Sequence, residues 1–148
     1  MQHYRKCPDA VARILGGVET PQLSGCVQFY QENGCVLVVA KISGLPKASE
    51  TGFFGFHIHQ GDNCSGTDFS GTGSHYNPSD QAHPKHAGDL PPLLECQGNA
   101  YLSVRTDRFS VADIIGRTVI IHSDPDDFHS QPAGNAGKKI ACGVICKE

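Results

Sequence analysis

The amino-acid sequence predicts an all-β protein, an antiparallel β-sandwich or flattened barrel that carries two long functional loops. Three observations lead to this fold class. The chain has 17 Gly and 9 Pro but one Met and no Trp, a composition that favours short strands joined by turns over long helices. Several short runs combine β-branched and apolar side chains between turn signals. Two long polar segments interrupt these runs.

The predicted strands follow one another closely along the chain. Residues 26–31 alternate apolar and polar side chains, and the Asn33-Gly34 dipeptide beyond them is a strong hairpin signal. The run 35–42 is therefore expected to pair with 26–31. The predicted strands are residues 11–15, 26–31, 35–42, 55–59, 100–104, 118–122 and 140–145.

Two segments, residues 60–95 and 124–138, lack sustained hydrophobic periodicity. The first is rich in Gly, Ser, Asp, Pro and His, and the second is also polar. A loop as long as the first inside a compact domain is usually functional or disordered. The chain shows no internal repeat, low-complexity tract or domain boundary, so we expect residues 1–148 to form a single domain of ordinary size.

Composition and charge exclude several classes of function. The net charge is −3 with neutral histidines, which leaves no basic excess to neutralise phosphates, so we expect no nucleic-acid partner. No stretch approaches the roughly 20 apolar residues that span a bilayer, so we expect no membrane partner. The segment 10–18 contains Arg13 and two glycines and makes a poor signal-peptide core. We therefore expect a cytoplasmic protein, or an extracytoplasmic one if a signal peptide has been removed.

The cysteines constrain the redox environment only loosely. Seven is an odd number, so they cannot all pair within one chain. A population of free thiols fits a reducing compartment, and one structural disulfide remains compatible with it. Cys26 and Cys35 lie in predicted strands and are expected to be buried thiols.

The positions of the eight histidines are more informative than their number. His57 and His59 are two apart on a predicted strand, so both side chains point to the same face. Neutral imidazole suits copper and zinc, and a carboxylate can complete a zinc site. A polar loop folded against this strand would assemble a metal centre, although any one histidine alone is more simply a surface residue. The other candidate ligands are His75, His83, His86, Asp89 and His122.

With these residues in view, the sequence resembles the copper/zinc superoxide dismutases. That family has a G-F-H-x-H strand, an H-[FY]-N-P segment, an H-x-G-D-L motif, an I-I-G-R-T strand and a closing G-N-A-G segment before its last strand. These motifs occur in this sequence in the family's order, and the match covers the chain from about residue 11. The resemblance implies a Greek-key arrangement of the strands. The matching segments are Gly55-Phe56-His57-Ile58-His59, His75-Tyr76-Asn77-Pro78, His86-Ala87-Gly88-Asp89-Leu90, Ile114-Ile115-Gly116-Arg117-Thr118, Gly134-Asn135-Ala136-Gly137 and Ala141-Cys142-Gly143-Val144-Ile145.

Carried over position by position, the resemblance implies a site for two metals. The implied reaction converts superoxide to oxygen and hydrogen peroxide by copper redox cycling, while zinc has a structural role. His75 would be shared by both metals and would also act as a general acid. The implied copper ligands are His57, His59, His75 and His122, and the implied zinc ligands are His75, His83, His86 and Asp89.

The resemblance also implies supporting residues. Asp126 would accept hydrogen bonds from His57 and His83 and so link the two ligand sets; the simpler alternative is a solvated loop aspartate. Cys64 and Cys142 occupy the places of the family's intrasubunit disulfide, which would tether the long loop to the last strand. The alternative is two unpaired thiols in a reducing cytosol.

This sequence departs from the family pattern in three places. Lys139 stands where the family usually has an arginine near the copper, and lysine keeps the charge but lacks the planar fork of donors. We therefore expect Lys139 to attract superoxide, with activity below that of an arginine-bearing relative. The segment 124–138 looks short and carries one lysine, which predicts weak anion steering. The chain ends on Lys147 and Glu148 where the familiar dimers continue with small apolar residues, so we expect a monomer or a different dimer.

Other functions remain open at this point. A non-catalytic copper/zinc-binding protein or copper carrier of the same fold would use the same ligands, and a copper donor is a candidate partner. A structural adhesion module with a similar sandwich would leave the histidine pattern unexplained. Met1-Gln2-His3 would also offer copper(II) an amine, two amides and an imidazole, although a disordered terminus is the simpler interpretation.

Overall fold

The computed structural model describes residues 6–148, whose regular secondary structure is almost entirely antiparallel β. The accessory copper site proposed at Met1-Gln2-His3 lies outside the described residues. No helix in the described part of the chain has the length and apolar character needed to cross a membrane. The elements are β1 (Ala10–Gly16), β2 (Ser24–Gln31), β3 (Val36–Ser43), β4 (Phe53–Phe54), β5 (Phe56–His59), β6 (Leu93–Leu94), β7 (Ala100–Thr106), α1 (Val111–Ile114), β8 (Thr118–His122) and β9 (Lys139–Lys147).

Seven strands form one curled antiparallel sheet in the order β5-β8-β9-β1-β2-β3-β7, and β4 pairs with β6 in a second, two-stranded sheet. The predicted hairpin is present: β2 and β3 pair from Gln31↔Val36 to Ser24↔Ser43, around the turn that contains Asn33 and Gly34. The last strand, β9, lies between β8 and β1, so the first and last strands pair with each other inside the sheet. The predicted all-β fold class, an antiparallel flattened barrel, is confirmed.

The core forms because apolar residues recur with a period of two along the strands. In β1, Ala10, Ala12 and Ile14 are buried and the residues between them are more exposed. The inward faces of the other strands add Phe29, Phe56 and Ile121 to the same cluster. Burial of each large apolar side chain contributes roughly 1.5–3 kcal/mol.

Two strands, β5 and β8, are buried on both faces. Their inward residues, such as Ile58 and Ile121, join the main core. Their outward residues are covered by two long loops, which comprise residues 60–92 (the first long loop) and 123–138 (the second long loop). The outward face of β5 carries His57 and His59, so the covered face is the one that bears the candidate ligands.

The predicted strand 118–122 coincides with β8. The family motif at residues 114–118, which the resemblance presents as a strand, differs here, because Ile114 ends the helix α1 and β8 begins only at Thr118. A capping box between Ser110 and Asp113 starts the helical turn. Gly116 has φ +84°, a conformation that glycine adopts readily and that reverses the chain before β8.

A disulfide between Cys64 and Cys142 ties the first long loop to β9, as the resemblance implied. Both cysteines pack with Phe69 and Ile120 in a small cluster on the outer side of the sheet. The other five cysteines are free. Cys26 and Cys35 are only partly buried, contrary to expectation, because both lie on the outer face of the sheet or at the turn.

Candidate metal centre

The first long loop docks onto β5 through a closed ring of backbone hydrogen bonds. Tyr76 N donates to Ile58 O at 2.8 Å, Ile58 N donates to Gly88 O at 2.9 Å, and Gly88 N donates to Tyr76 O at 2.9 Å. Ile58 lies between His57 and His59, Tyr76 follows His75, and Gly88 precedes Asp89. This ring therefore fixes loop and strand ligands against one another.

The ring requires a residue without a side chain at position 88. A Cβ on Gly88 would overlap the carbonyl oxygen of Ile58, and that oxygen is the acceptor for Tyr76 N. Glycine is therefore required at position 88, because the two backbones approach each other too closely for a side chain.

The first ligand set lies on neighbouring strands and the loop edge. β8 pairs with β5, and His122 at its end places Nε2 only 3.2 Å from Nε2 of His59. All four residues of the set are buried, and their ligand atoms lie within 4.8 Å of one another. This set consists of His57, His59, His75 and His122.

The second ligand set lies entirely in the first long loop and shares His75 with the first set. His83 Nδ1 is 3.1 Å from Asp89 Oδ2 and His86 Nδ1 is 3.3 Å from the same oxygen, while His86 Nδ1 and His75 Nδ1 are 3.2 Å apart. Ligand atoms about 2.0–2.2 Å from a tetrahedral ion lie about 3.3–3.6 Å from one another, so these separations are close to those of a zinc site. The structure thus brings together every ligand that the sequence nominated.

The hydrogen bonds of the rings identify which nitrogens remain for a metal. His57 Nε2 donates to Asp126 Oδ2 at 2.8 Å, and His59 Nδ1 donates to Gly73 O at 2.8 Å. A neutral imidazole has one donor and one acceptor nitrogen, so His57 Nδ1 and His59 Nε2 carry the lone pairs. Such a bond on the outer nitrogen is typical of metal-binding histidines.

Among residues 6–148, three buried ring nitrogens have no hydrogen-bond partner: His57 Nδ1, His75 Nε2 and His83 Nδ1. An unpartnered buried polar atom is costly. Two acceptor nitrogens that face each other, as in His59 and His122, also cannot satisfy one another. Bound cations would satisfy all of these atoms, so the residues present fit a two-metal centre.

Electrostatics favour the metal-binding forms of His59, His122 and Asp89. Burial lowers the pKa of His59 to about 2 and that of His122 to about 3, in both cases helped by neighbouring histidines. Burial opposes ionisation of Asp89, but the hydrogen bond from His75 and the nearby rings hold the pKa of its carboxyl below the usual value. Neutral imidazoles and an ionised carboxylate are the forms that bind copper and zinc.

Asp126 lies between the two ligand sets. Its Oδ2 accepts from His57 Nε2 at 2.8 Å and its Oδ1 accepts from His83 Nε2 at 2.7 Å. Phe128 N also donates to Oδ1 at 2.7 Å. Burial opposes ionisation of Asp126, yet these donors hold the pKa of its carboxyl well below the usual range, so it is a charged acceptor for one ring of each set.

The first set opens to a cleft of about 460 Å³ that is lined by His59, His75, His122 and Lys139. The ammonium of Lys139 donates to Thr72 Oγ1 at 2.8 Å, to Gly73 O at 3.0 Å and to Phe69 O at 3.4 Å. An ammonium has three donors, so the first long loop engages all of them. The sequence nominated Lys139 but gave no indication of these partners.

Sequence reasoning missed Gln131, in the second long loop. Its side-chain amide bonds to both the N–H and the carbonyl of His83, although it belongs to a different loop from that ligand. No motif marks a single glutamine in a polar segment, and only the folded position of the two loops reveals the contact.

Comparisons with known proteins agree with this geometry. A family model described as copper/zinc superoxide dismutase (SODC) matches residues 23–145. The chain is 38% identical over 154 aligned residues to Cu-Zn superoxide dismutase 3 of Arabidopsis thaliana, covering 92% of this chain and 88% of that protein. It is 35% identical to Cu-Zn superoxide dismutase 2 of Aquifex aeolicus (strain VF5), covering 84% of this chain and 80% of the relative. For Cu-Zn superoxide dismutase 1 of the same organism, the identity is 36%, and the match covers 82% of this chain and 79% of the relative.

The matched region contains both ligand sets and Cys64 and Cys142 of the disulfide. The chain therefore belongs to the copper/zinc superoxide dismutase family.

Proposed function

We propose that this protein is a superoxide dismutase that converts two superoxide ions and two protons to oxygen and hydrogen peroxide. The observation that carries the proposal is the pair of buried ligand sets that share His75, next to a cleft that also contains the cation Lys139. Family membership and the similarity to Cu-Zn superoxide dismutases of other organisms support the same activity.

The ligand sets divide between two metals by their chemistry. Four imidazoles suit copper, and three imidazoles with a carboxylate suit zinc. When bound, copper supplies one-electron redox chemistry, whereas zinc is redox-silent. Copper would be held by His57, His59, His75 and His122, and zinc by His75, His83, His86 and Asp89.

Lys139 is the group that attracts the anionic substrate in this proposal. Its charge lies on the cleft that leads to His59 and His122. Because all three ammonium hydrogens are directed to the first long loop, Lys139 acts by its charge and not by a fork of hydrogen bonds. This supports the expectation of an activity below that of an arginine-bearing relative.

His75 and Asp126 have the proton-handling and orienting roles. His75 lines the cleft, and its Nε2 is buried without a hydrogen-bond partner. We therefore assign to His75 Nε2 the role of general acid, which holds a proton and delivers it to the product. Asp126 orients the rings of His57 and His83 by accepting their outer N–H groups.

The cellular setting is also part of the proposal. Five free cysteines favour a reducing, cytoplasmic compartment, while the Cys64–Cys142 disulfide is compatible with an extracytoplasmic one. We propose a monomer or a dimer unlike the familiar one, and a copper donor as a partner.

The decisive experiment measures superoxide dismutation by protein loaded with copper and zinc, beside a zinc-only control. We expect a copper-dependent rate that exceeds the rate of the same concentration of free copper and that stays below the diffusional ceiling of about 10⁸–10⁹ M⁻¹s⁻¹, because Lys139 replaces the usual arginine. A rate no better than free copper would contradict the proposal and favour a non-catalytic metal-binding protein or copper carrier. No observation in the structure favours that alternative over the enzyme.

A further inference from the structure

The backbone of His83 is held by a side chain from the other long loop. Gln131 Oε1 accepts from His83 N at 2.9 Å, and Gln131 Nε2 donates to His83 O at 2.7 Å. The amide thus pairs with His83 as a neighbouring peptide would in an antiparallel ladder. Two bonds of opposite direction fix both the place and the orientation of this backbone unit.

The following residues of the same segment are held from a third part of the chain. Arg108, in the turn after β7, donates from one guanidinium nitrogen to Pro84 O at 2.8 Å and to His86 O at 3.1 Å. Because the guanidinium is charged, these hydrogen bonds are stronger than bonds between neutral groups. His86 N in turn donates to Asp89 Oδ2 at 2.9 Å, which couples the segment to the carboxylate ligand.

Neither Gln131 nor Arg108 contacts a ring nitrogen of the second ligand set, but both fix the backbone that carries these rings. The ring of His83 is pinned at Nε2 by Asp126, so the position of its free Nδ1 depends on where the backbone lies. Ligand atoms must stay within about 0.5 Å of the productive geometry for a metal site to work.

We propose that Gln131 and Arg108 are positioning residues for the zinc half of the centre, and that they set how tightly this half retains its metal. The inference rests on the proposed function in so far as zinc occupies the second ligand set. It assigns the retention of zinc to side chains in two segments that carry none of the zinc ligands.

The test compares the loaded wild-type protein with Gln131→Met, Arg108→Gln and the double variant. Gln131→Met keeps the length of the side chain and removes both bonds to His83. Arg108→Gln removes the guanidinium nitrogen that donates to Pro84 O and His86 O. Arg105→Gln is the matched control, because Arg105 lines the same cavity as Arg108 but bonds to Glu32. The readouts are the rate of zinc loss to a chelator, the visible spectrum of cobalt(II) placed in the second set, and the copper content.

We expect each single variant to lose zinc about 10-fold to 100-fold faster than wild type, the range found when outer partners of metal ligands are removed. The cobalt(II) bands should shift, and the copper content should stay at the wild-type value. Arg105→Gln should match wild type within about twofold. In the double variant, zinc loss should be faster than in either single variant.

Gln131→Glu separates positioning from simple charge. This change keeps the shape and the acceptor for His83 N, but it places an oxygen against His83 O and adds a negative charge near the cation. Charge alone would slow zinc loss, whereas disturbed positioning would accelerate it. Faster loss supports the inference, and unchanged or slower loss overturns it.

The inference and the proposed function fail in different ways. If wild-type protein retains no zinc and shows no copper-dependent activity, the proposed function is wrong. If wild type is loaded and active while both single variants keep its zinc-loss rate and cobalt(II) spectrum, the inference is wrong and the function stands. A lower unfolding midpoint of the metal-free variants without a change in these two readouts would also overturn it.

Discussion

Lys139 shows how much one side chain of this centre depends on its neighbours. Its three hydrogens go to Thr72, Gly73 and Phe69, so it anchors the first long loop to the start of β9 while its charge remains at the cleft. Burial lowers the pKa of its ammonium, and Asp68 opposes that change. An arginine at this position has five donors, enough to anchor the loop and still present N–H groups to an anion.

We predict that Lys139→Arg raises kcat/KM for superoxide several-fold, because the planar fork adds directed hydrogen bonds to the attraction by charge. The measurement is the dismutation rate of protein with equal copper content. Lys138→Arg is the control, since the neighbouring lysine is exposed and lies 3.5 Å from Glu19. No gain for Lys139→Arg over the control would contradict this role of Lys139.

A second prediction at this scale concerns Gly134, which faces Asp126. Its φ is +71°, and a Cβ there would overlap Asp126 Oδ1 and lie 2.6 Å from His83 Nε2. Gly134→Ala should therefore break the bond between Asp126 and His83 and cost roughly 1–3 kcal/mol of stability. Chemical denaturation and zinc retention measure the two effects. Gly34→Ala is the control: Gly34 also has a positive φ, but a Cβ there would meet open space. This variant should lose stability without losing zinc.

At the scale of elements, the site depends on strands that present one face to the core and the other to a loop. β5 alternates Phe56 and Ile58 on the core side with His57 and His59 on the loop side. A ring of backbone bonds and one disulfide hold the loop in place. Side-chain bonds from Lys139, Gln131 and Arg108 add further attachments, and each attachment is open to experiment.

We predict that Cys64→Ser destabilises the protein by up to about 4–5 kcal/mol, the chain-entropy value for a closure of 78 residues. Urea unfolding of the variant and of wild type, each without reductant, measures the loss. Cys96→Ser, at an exposed free cysteine, should leave stability nearly unchanged. Thiol titration of unfolded wild type should give five thiols before reduction and seven after, and an unchanged count would disprove the bridge in solution.

For the whole molecule, burial of a neutral histidine cluster makes stability depend on pH. Because the pKa values of His59 and His122 fall to about 2 and about 3 in the folded protein, only the unfolded chain binds these protons between about pH 6.5 and 3. The unfolded state is then favoured as the pH falls. The carboxyls of Asp89 and Asp126, whose pKa values are lowered, add a further loss below about pH 4.

We therefore predict that metal-free protein loses stability steadily from about pH 6.5 downward, by at most about 1.4 kcal/mol per pH unit for each of the two histidines. Denaturant unfolding at several pH values measures the slope. His122→Gln should reduce it, whereas His129→Gln, at a histidine whose side chain is 80% exposed, should not. A stability that is flat between pH 6.5 and 4 would contradict the prediction.

A related prediction concerns the electrostatic field that the whole protein produces at the cleft. The net charge is −3, and Lys139 is the cation that lines the cleft among the described residues. Steering depends on charge that lines the approach to a site, so we predict that the dismutation rate falls only shallowly with added salt. Rates measured over a range of ionic strength test this, and a steep fall would show that more distant basic residues steer the substrate.

The sequence by itself determined the candidate ligands and the seven strands of the large sheet, whereas the two-residue strands β4 and β6 were not predicted. Period-two patterns, the Asn33-Gly34 turn and the spacing of His57 and His59 are local signals, because the geometry of a strand is set by neighbouring residues. Local patterns also indicated which polar segment would carry the remaining ligands. The family's strand motif did not apply at 114–118, where a capping box and Gly116 form a helical turn and a chain reversal instead.

The tertiary structure decided how these parts meet. Three features join residues that are far apart in sequence. They are the order of strands in the sheet, the bonds from Lys139 to the first long loop, and the contacts of Gln131 and Arg108 with the segment 83–86. No local pattern encodes such contacts, because each depends on the packing of whole elements and on which buried polar groups still need a partner. For the same reason the sequence nominated the candidate metal ligands, whereas only the fold revealed the side chains that bond to the backbone of His83 and His86.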